Sequence, residues 1–255
     1  MSSLFDLTGR TALITGSARG IGFSLARGLA QAGARVIING TREETVAPAV
    51  ATLKSEGFDI LGRAFDVTNE TDVAAAFKAW DDAEVAIDIL INNAGIQFRK
   101  PLVELGLADW QRVIDTNLTS AFIVGKEAAR RMIARGNGGK VINIGSLTSE
   151  GARPTVGAYT AAKGGIKMLT RAMSAEWGPF DIQANAIGPG YILTDMNKPL
   201  IDDARFDAWV KSSNPSQRWG KPDELAGTAV YLASAASSYV NGQIIFVDGG
   251  WLSVL

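Results

Sequence analysis

The sequence predicts an α/β protein with one doubly wound parallel sheet. Short apolar runs alternate with longer amphipathic runs from one end of the chain to the other, as strands alternate with helices in such folds. Several apolar runs lack the polar alternation of a half-exposed strand, which indicates strands covered by helices on both faces. Right-handed crossovers then build a Rossmann-type sheet of about seven strands.

Seven segments are predicted strands and six are predicted helices. The strands are Thr11–Thr15, Arg35–Ile38, Ile60–Phe65, Ile87–Ile91, Lys140–Ile144, Ile182–Ile187 and Gln243–Val247. The helices are Ile21–Ala32, Glu43–Glu56, Glu70–Trp80, Leu107–Arg135, Val156–Trp177 and Pro222–Ala233. No repeat, low-complexity linker or shift in composition marks a second domain, so a single domain is expected.

One segment departs from this alternation. Residues 190–220 carry no strand pattern, and Pro199, Trp209, Pro215 and Trp219 lie among short polar stretches. A long irregular excursion inside a compact domain is commonly a binding loop or lid. Because it follows the sixth strand, it is expected at the carboxyl edge of the sheet, where ligands bind. The alternative is a packed helical insertion with no functional role.

Composition and charge narrow the class of protein. The chain has 255 residues, of which 47% are hydrophobic and 20% charged, and its formal net charge is −1. These values are ordinary for a globular enzyme and give no reason to expect nucleic acid or an anionic membrane as a partner. No signal peptide is visible, and no stretch approaches the roughly 18 apolar residues of a membrane span. A cytoplasmic protein is expected.

A glycine-rich turn follows the first predicted strand. The run Thr15-Gly16-Ser17-Ala18-Arg19-Gly20-Ile21-Gly22 leads directly into a helix. Its glycines allow close approach of the backbone to a pyrophosphate, and the helix N-terminus offers free N–H groups. The spacing is neither G-x-G-x-x-G nor a Walker sequence, and a purely structural turn is the alternative. The predicted nucleotide contacts are Gly16, Ser17, Arg19, Gly20, Ile21 and Gly22.

The end of the second strand favours NADP(H) over NAD(H). An acidic residue about 20 residues past the glycines would bind the ribose 2′-hydroxyl of NAD, but the chain reads Ile38-Asn39-Gly40-Thr41-Arg42. Thr41 and Arg42 are expected near the ribose, where Arg42 can pair with a 2′-phosphate, and Arg19 is a second candidate cation. Both arginines could instead be solvated surface residues, and use of NAD(H) stays open.

The chain contains no histidine and no cysteine, the residues behind most proton transfer near neutral pH and most thiol or zinc chemistry. No metal site is expected, and acid–base chemistry would fall to a carboxylate, a lysine or a tyrosine. Tyr159 and Lys163 lie four residues apart in a predicted helix, so both side chains share one face. A cation beside a tyrosine lowers the pKa of its hydroxyl from about 10, although such a pair also occurs by chance.

Several motifs in chain order together resemble the classical short-chain dehydrogenase/reductase family. They are the glycine turn, Asn92-Asn93-Ala94-Gly95, Asn117, Asn143-Ile144-Gly145-Ser146, Tyr159 with Lys163, Pro189-Gly190 and Val247-Asp248-Gly249-Gly250. The resemblance covers nearly the whole chain. It implies a single dinucleotide-binding and catalytic domain over residues 1–255, with a substrate lid at about 190–220.

The resemblance implies catalytic roles for Asn117, Ser146, Tyr159 and Lys163. Tyr159 would be the general base in alcohol oxidation and the general acid in ketone reduction, while the nicotinamide carries the hydride. Lys163 would lower the pKa of Tyr159 and hydrogen-bond the nicotinamide ribose. Ser146 would hold the substrate oxygen, and Asn117 would position a water that relays protons. Alternatively, Asn117 could cap or kink its helix and Ser146 could close its strand.

Further cofactor contacts are implied by the same resemblance. They are Asp66 and Val67 after the third strand, Asn93, Ala94 and Gly95 after the fourth, Tyr159 and Lys163, and Pro189, Gly190, Ile192 and Thr194 after the sixth. Gly145 and Gly188 depart from the family pattern because each replaces a slightly larger residue. Looser local packing is expected at both positions.

Within the family, the chain is most similar to the gluconate 5-dehydrogenases, through residues 92–99, 146–150, 218–225 and 241–250. This similarity implies interconversion of D-gluconate and 5-keto-D-gluconate, which needs a cation for the carboxylate and polar groups for the hydroxyls. The candidate cations are Arg99 and Arg153, the candidate hydroxyl partners are Gln97, Ser149 and Glu150, and Ser146 and Tyr159 would hold the reacting oxygen. Surface placement of these candidates stays open.

Two other functions stay open. The same fold and catalytic residues serve 3-oxoacyl-carrier-protein reductases and other carbonyl reductases, although a near-neutral chain gives no special support to an acidic carrier. A nucleotide-binding regulator is the non-enzyme alternative, against which the four intact residues argue. The resemblance also implies a homotetramer, with Leu118–Arg135, Val156–Trp177 and the apolar end Trp251–Leu255 at subunit contacts.

Overall fold

The computed structural model describes residues 4–254, which contain a seven-stranded sheet with helices on both faces. The strands are Thr11–Ile14 (β1), Arg35–Gly40 (β2), Ile60–Ala64 (β3), Ile89–Asn92 (β4), Gly139–Ile144 (β5), Ile182–Pro189 (β6) and Ile244–Val247 (β7). The helices are Gly20–Gln31 (α1), Glu43–Ser55 (α2), Glu70–Asp82 (α3), Leu107–Ile114 (α4), Ser120–Arg135 (α5), Gly157–Trp177 (α6), Lys198–Ile201 (α7), Ala204–Ser213 (α8) and Ala226–Ala233 (α9).

The sheet topology confirms the predicted doubly wound fold. The strand order is β3-β2-β1-β4-β5-β6-β7, and neighbouring strands are parallel. The order reverses direction between β1 and β4, which is where ligands bind in open sheets of this kind. The carboxyl ends of the strands therefore bring the sequence motifs to one edge.

Two hydrophobic layers hold the sheet between its helices. Leu13 belongs to the layer under α3, α5 and α6, whereas its neighbour Ile14 belongs to the layer under α1 and α9. Both side chains are fully buried. Consecutive strand residues point to opposite faces of the sheet, and helices cover both faces. Neither face of the central strands is therefore open to solvent.

The helix predicted over Leu107–Arg135 is interrupted by a π-helical turn. α4 ends at Ile114, residues Asp115–Thr119 form the turn, and α5 continues from Ser120. Single π turns inside long helices occur frequently at functional sites. This turn carries Asn117, one of the predicted catalytic residues.

Residues 190–220, called the lid segment below, form a folded helical excursion beyond β6. It contains a short 3₁₀ turn at Asp195–Asn197, followed by α7 and α8. Its two ends are joined by a bridge between Ile192 and Gly220. No helix within residues 4–254 combines the length and apolarity needed to cross a membrane.

The looser packing expected at Gly145 and Gly188 is wrong. The ring of Phe246 in β7 lies directly over Gly188, and Cδ1 of Ile244 lies 2.8 Å from the position that a Cβ of residue 145 would take. Side chains of β7 thus fill the space, as expected for interiors packed to crystal-like density.

Candidate active site

The glycine turn between β1 and α1 is shaped for close backbone approach. Gly16 and Gly20 have φ values of 60° and 58°, in the left-handed region that side chains disfavour. A Cβ at Gly22 would overlap the amide of Asn93 and lie 2.7 Å from the carbonyl oxygen of Gly16. α1 has no acidic residue in its first turn, so its N-terminus presents a positive dipole end to an anion. These residues fit a pyrophosphate.

Asn39 holds the glycine turn against the ends of β2 and β3. Its side chain is 1% exposed, and its Oδ1 accepts a hydrogen bond from the N–H of Gly16 at 3.0 Å. Its Nδ2 donates to the carbonyl oxygens of Gly40, Arg63 and Phe65 at 3.2 to 3.3 Å. The side chain is therefore committed to the scaffold, a role that the sequence reasoning missed.

The two predicted cations at the ribose end differ in their surroundings. Arg42 is exposed at the N-cap of α2 beside the exposed Thr41 and forms no ion pair within residues 4–254. Arg19 lies 3.7 Å from a carboxylate oxygen of Asp195 in the lid segment, and both side chains are at least 80% exposed. An exposed pair of this length is weak. Arg42 is thus the cation better placed to meet a 2′-phosphate.

Residues after β4 tie that strand to the glycine turn. The hydroxyl of Thr15 accepts hydrogen bonds from the N–H groups of Asn93 and Ala94 at 2.9 and 3.0 Å. The amide of Asn93 donates to the carbonyl oxygens of Thr15 and Gly16 at 2.8 and 2.9 Å. Asn93 therefore fixes the turn and leaves its side chain little freedom to contact a cofactor.

The other predicted cofactor residues lie at the carboxyl ends of neighbouring strands. They are Asp66 and Val67 after β3, Gly95 after β4, and Pro189, Gly190, Ile192 and Thr194 at the end of β6. One carboxylate oxygen of Asp66 accepts hydrogen bonds from the N–H and hydroxyl of Thr68. Val67 and Ile192 are buried, so their side chains pack in the interior and do not face a cofactor.

The side chain of Asn117 is bonded to the main chain. It is 2% exposed, and its Oδ1 accepts from the N–H of Ile96 at 3.2 Å. Both donors of its amide are used, on the carbonyl oxygens of Ile96 at 3.0 Å and Val113 at 2.9 Å. The alternative reading, in which Asn117 shapes its helix, is supported by this geometry. Any proton relay through Asn117 has to use its main chain.

Ser146 begins the 3₁₀ turn after β5, where its hydroxyl accepts from the N–H of Thr148 at 3.2 Å. The hydroxyl of Ser149 accepts from the N–H of Ser146 and donates to the carbonyl oxygen of Lys163 at 2.9 Å. Ser149 is buried and fully engaged, which corrects the expectation that it binds substrate hydroxyls. It instead joins the serine turn to α6.

Tyr159 and Lys163 share one face of α6 as predicted. The Lys163 ammonium lies 5.5 Å from the centroid of the Tyr159 ring and donates to the carbonyl oxygen of Ile144 at 2.6 Å. Burial raises the pKa of Tyr159, whereas a hydrogen bond with Ser146 and the positive charge of Arg99 lower it. Arg99, which the sequence assigned only to the substrate, is therefore a further cation that acts on Tyr159.

Arg99 and Arg153 lie near each other, and the charges of both act on Tyr191. Nε of Arg99 is buried without a hydrogen-bond partner in the described part of the chain, and its Nη2 donates to the carbonyl oxygen of Met196 at 3.4 Å. Burial and the neighbouring charge of Arg153 lower the pKa of Arg99, while Tyr159 and Tyr191 raise it. Neither arginine pairs with a carboxylate within residues 4–254. The arrangement suits an anionic ligand.

The remaining two substrate candidates are engaged elsewhere. Glu150 is exposed and pairs with Lys167 at 2.6 Å, so its carboxylate faces a lysine outside the arginine pair. Oε1 of Gln97 accepts from the N–H of Phe98 at 3.2 Å, which leaves the amide donors of Gln97 free for a hydroxyl.

Replacing Lys163 with methionine is expected to change how stability depends on pH. Burial lowers the pKa of Lys163 from 10.5 to about 8, so the folded protein carries a costly buried charge below that pH, whereas the lysine is neutral in both states above its unfolded pKa. Wild-type protein should therefore gain roughly 3 kcal/mol relative to Lys163→Met as the pH rises through this window. Urea unfolding of both proteins between about pH 7 and pH 11, a range that spans both pKa values, measures this difference. Parallel curves would contradict the prediction.

Comparison with known proteins places this geometry in a family. A family model described as enoyl-(acyl carrier protein) reductase matches residues 16–252. A gluconate 5-dehydrogenase of Gluconobacter oxydans is 46% identical, over 97% of this chain and 96% of its own length. A 2-dehydro-3-deoxy-D-gluconate 5-dehydrogenase of Formosa agariphila is 45% identical, over 99% of this chain and 96% of its own.

A solved structure agrees with these relatives. The crystal structure of a gluconate 5-dehydrogenase from Burkholderia cenocepacia, in complex with NADP and tartrate, is 50% identical to this chain. It covers 98% of both chains with a TM-score of 0.96. Because the similarity runs through the glycine turn, the serine turn and α6, this chain belongs to the short-chain dehydrogenase/reductase family.

Proposed function

We propose that this protein is an NADP(H)-dependent oxidoreductase that interconverts D-gluconate and 5-keto-D-gluconate. The observation that carries the proposal is the neighbouring pair Arg99 and Arg153, neither of which has a carboxylate partner in residues 4–254. Arg99 lies close enough to Tyr159 for its charge to lower the pKa of the tyrosine. A sugar acid has one carboxylate for such a pair and a secondary alcohol for the tyrosine. The gluconate 5-dehydrogenases among the relatives support the same substrate class.

Tyr159 is assigned as the residue that exchanges a proton with the substrate oxygen. In reduction its hydroxyl donates to the carbonyl oxygen of the substrate, and in oxidation the phenolate takes the proton back. Burial keeps the hydroxyl protonated and ready to donate, while Ser146 and the charge of Arg99 stabilise the phenolate left behind. Bound NADP(H) would supply or accept the hydride. Lys163 adds a second cation under the tyrosine ring, 5.5 Å from its centroid.

The preference for NADP(H) rests on the end of β2. Asn39 is buried and committed to the scaffold, no carboxylate stands in the run from Asn39 to Arg42, and Arg42 is exposed for a 2′-phosphate. A bound NADP in the Burkholderia relative supports this choice. Steady-state kinetics with both nucleotides test it, and a clear preference for NAD(H) would overturn it.

Replacing Arg99 with methionine is expected to reduce kcat/KM for 5-keto-D-gluconate about a hundredfold. L-Sorbose is the same carbon chain with CH₂OH in place of the carboxylate, so its kcat/KM should fall less, by about tenfold, through loss of the charge beside Tyr159 alone. The comparison separates loss of carboxylate binding from loss of the charge beside Tyr159, which would affect both ketones. Arg10→Met, which removes an exposed cation just before β1, at the amino edge of the sheet, is the matched control.

The substrate assignment fails if Arg99→Met affects both ketones equally. An acetoacetyl thioester belongs in the same assay, since turnover of that compound alone would favour an acyl-carrier reductase. D-Gluconate should also be compared with 2-dehydro-3-deoxy-D-gluconate. The Formosa relative favours the latter as a second candidate, and both compounds offer a carboxylate to the arginine pair.

We also propose a homotetramer, as the family resemblance implies. Phe122 on α5 and Met168 on α6 are 49% and 58% exposed, which fits helix faces covered by another subunit. Trp251 contributes less than expected to such a contact because its ring packs against Tyr191 within the same chain, at 4.8 Å between centroids. Leu255 lies outside the described residues. Light scattering tests the assembly, and a stable monomer would overturn it.

A further inference from the structure

We infer that Phe206 in the lid helix α8 is a positioning residue that holds Arg153 in place for the substrate carboxylate. This inference rests on the proposed function. If the inference is right, the lid segment is part of the anion-binding site. Affinity for the sugar acid then depends on the ring of Phe206, although the ring itself does not contact the acid.

The contact between the two residues is a stacked cation and ring. Cζ of Arg153 lies 4.9 Å from the centroid of the Phe206 ring, within the range of a cation–π interaction. A ring engages the flat face of the guanidinium and leaves the N–H groups at its edge free. Arg153 can therefore be held by the lid and still present donors to a carboxylate.

The loop that carries Arg153 needs such support. It is joined to the segment after β4 by a hydrogen bond from the N–H of Lys100 to the carbonyl oxygen of Thr155, at 2.8 Å. This bond brings the loops of Arg99 and Arg153 together, and the charge of Arg153 lowers the pKa of Arg99. Two like charges repel each other when no carboxylate separates them. The cation–π attraction between Arg153 and the ring of Phe206 in the lid segment opposes this repulsion.

The ring of Phe206 is itself fixed by an aromatic cluster. Its centroid lies 5.6 Å from that of Tyr191 and 5.1 Å from that of Trp209. Trp219 lies 6.5 Å away and donates its indole N–H to Asp207, the next residue in α8, at 2.9 Å. The cluster joins the end of β6 to α8, so the orientation of the ring is set by the fold of the lid segment.

Among residues 4–254, three arginines outside the lid segment contact it through polar or cation–π contacts, and one of these contacts leaves the guanidinium edge free. Arg19 faces the carboxylate of Asp195 at 3.7 Å, and Arg99 donates to the carbonyl oxygen of Met196 at 3.4 Å. Both contacts use N–H groups. Arg153 meets the lid through its face, which singles it out as the arginine that the lid positions for a ligand.

The test measures KM and kcat for 5-keto-D-gluconate and L-sorbose with NADPH in Phe206→Leu, Phe206→Tyr, Arg153→Met and the double variant Phe206→Leu/Arg153→Met. Phe206→Leu should raise KM for the acid about tenfold, with kcat and the kcat/KM for L-sorbose within about twofold of wild type. Phe206→Tyr should restore the KM, because it keeps the ring. Phe206→Leu should have no further effect when Arg153 is already methionine.

The control is Trp251→Leu, which loosens the same aromatic cluster without removing the ring under Arg153. It should not change the ratio of the two kcat/KM values. Calorimetric binding of D-gluconate to the NADPH-loaded enzyme, a pair that cannot react, replaces L-sorbose if that ketone turns over too slowly. An equal loss on both ketones in Phe206→Leu, or an undiminished effect in the double variant, would overturn the inference. If Arg153→Met itself does not discriminate between the ketones, the proposed carboxylate site fails instead.

Discussion

Replacing Tyr159 with phenylalanine is expected to lower kcat for 5-keto-D-gluconate at least about a thousandfold, since general acid–base catalysis contributes on this scale. The change removes only the hydroxyl oxygen. Ser146 and Arg99, which act on that hydroxyl, stay in place, as does the ammonium of Lys163 on the carbonyl oxygen of Ile144. The chain would keep its site but lose the group that holds the moving proton.

Nucleotide binding separates this effect from damage to the fold. The glycine turn is fixed by Asn39 and Asn93, which do not involve Tyr159, so the Kd for NADPH should stay within about threefold of wild type. Fluorescence titration with NADPH measures it. Tyr239→Phe, which alters a fully exposed tyrosine, is the matched control. Retention of a tenth or more of the wild-type kcat would show that Tyr159 is not the acid.

The fold could be predicted because its signals are local. A strand buried on both faces is usually a near-continuous apolar run, so β1 and β4 are visible in the sequence without any knowledge of their partners. The π turn at Asp115–Thr119 is different. It depends on the bonds of the Asn117 amide to a loop after β4, and no periodicity within the helix records a contact with a distant segment.

Residues of the candidate site could be predicted where a sequence motif determines both the residue type and its position in the fold. Tyr159 and Lys163 are of this kind, because helical spacing alone puts them on one face. Ser149 and Glu150 were chosen for their residue types near the serine turn, and the structure engages one with α6 and the other with Lys167. Phe206 escaped prediction because its contact with Arg153 joins a loop after β5 to helix α8, about 50 residues further along the chain.

Replacing Asn39 with aspartate is expected to destabilise the protein strongly rather than convert it to NAD(H) use. By pattern, the position invites an acidic residue, since a carboxylate near the end of β2 would bind the ribose of NAD. In the structure, the amide nitrogen of Asn39 donates to three carbonyl oxygens. A carboxylate would place a charge against those oxygens, and a buried uncompensated charge costs about 3–5 kcal/mol.

Thr41→Asp is the matched comparison, because it adds the same carboxylate two residues later at an exposed position. It should change the free energy of unfolding by less than about 0.5 kcal/mol. It should also raise KM for NADPH about tenfold, through repulsion of the 2′-phosphate beside Arg42. Urea unfolding measures the stability of the two variants, Asn39→Asp and Thr41→Asp, and steady-state kinetics with NADPH and NADH measure their nucleotide preference. A stable Asn39→Asp protein that prefers NADH would show that this amide is free to meet the cofactor. If these outcomes are observed, the preference for NADP(H) is determined by the exposed residues Thr41 and Arg42. Asn39 then acts only by holding the end of β2 in place.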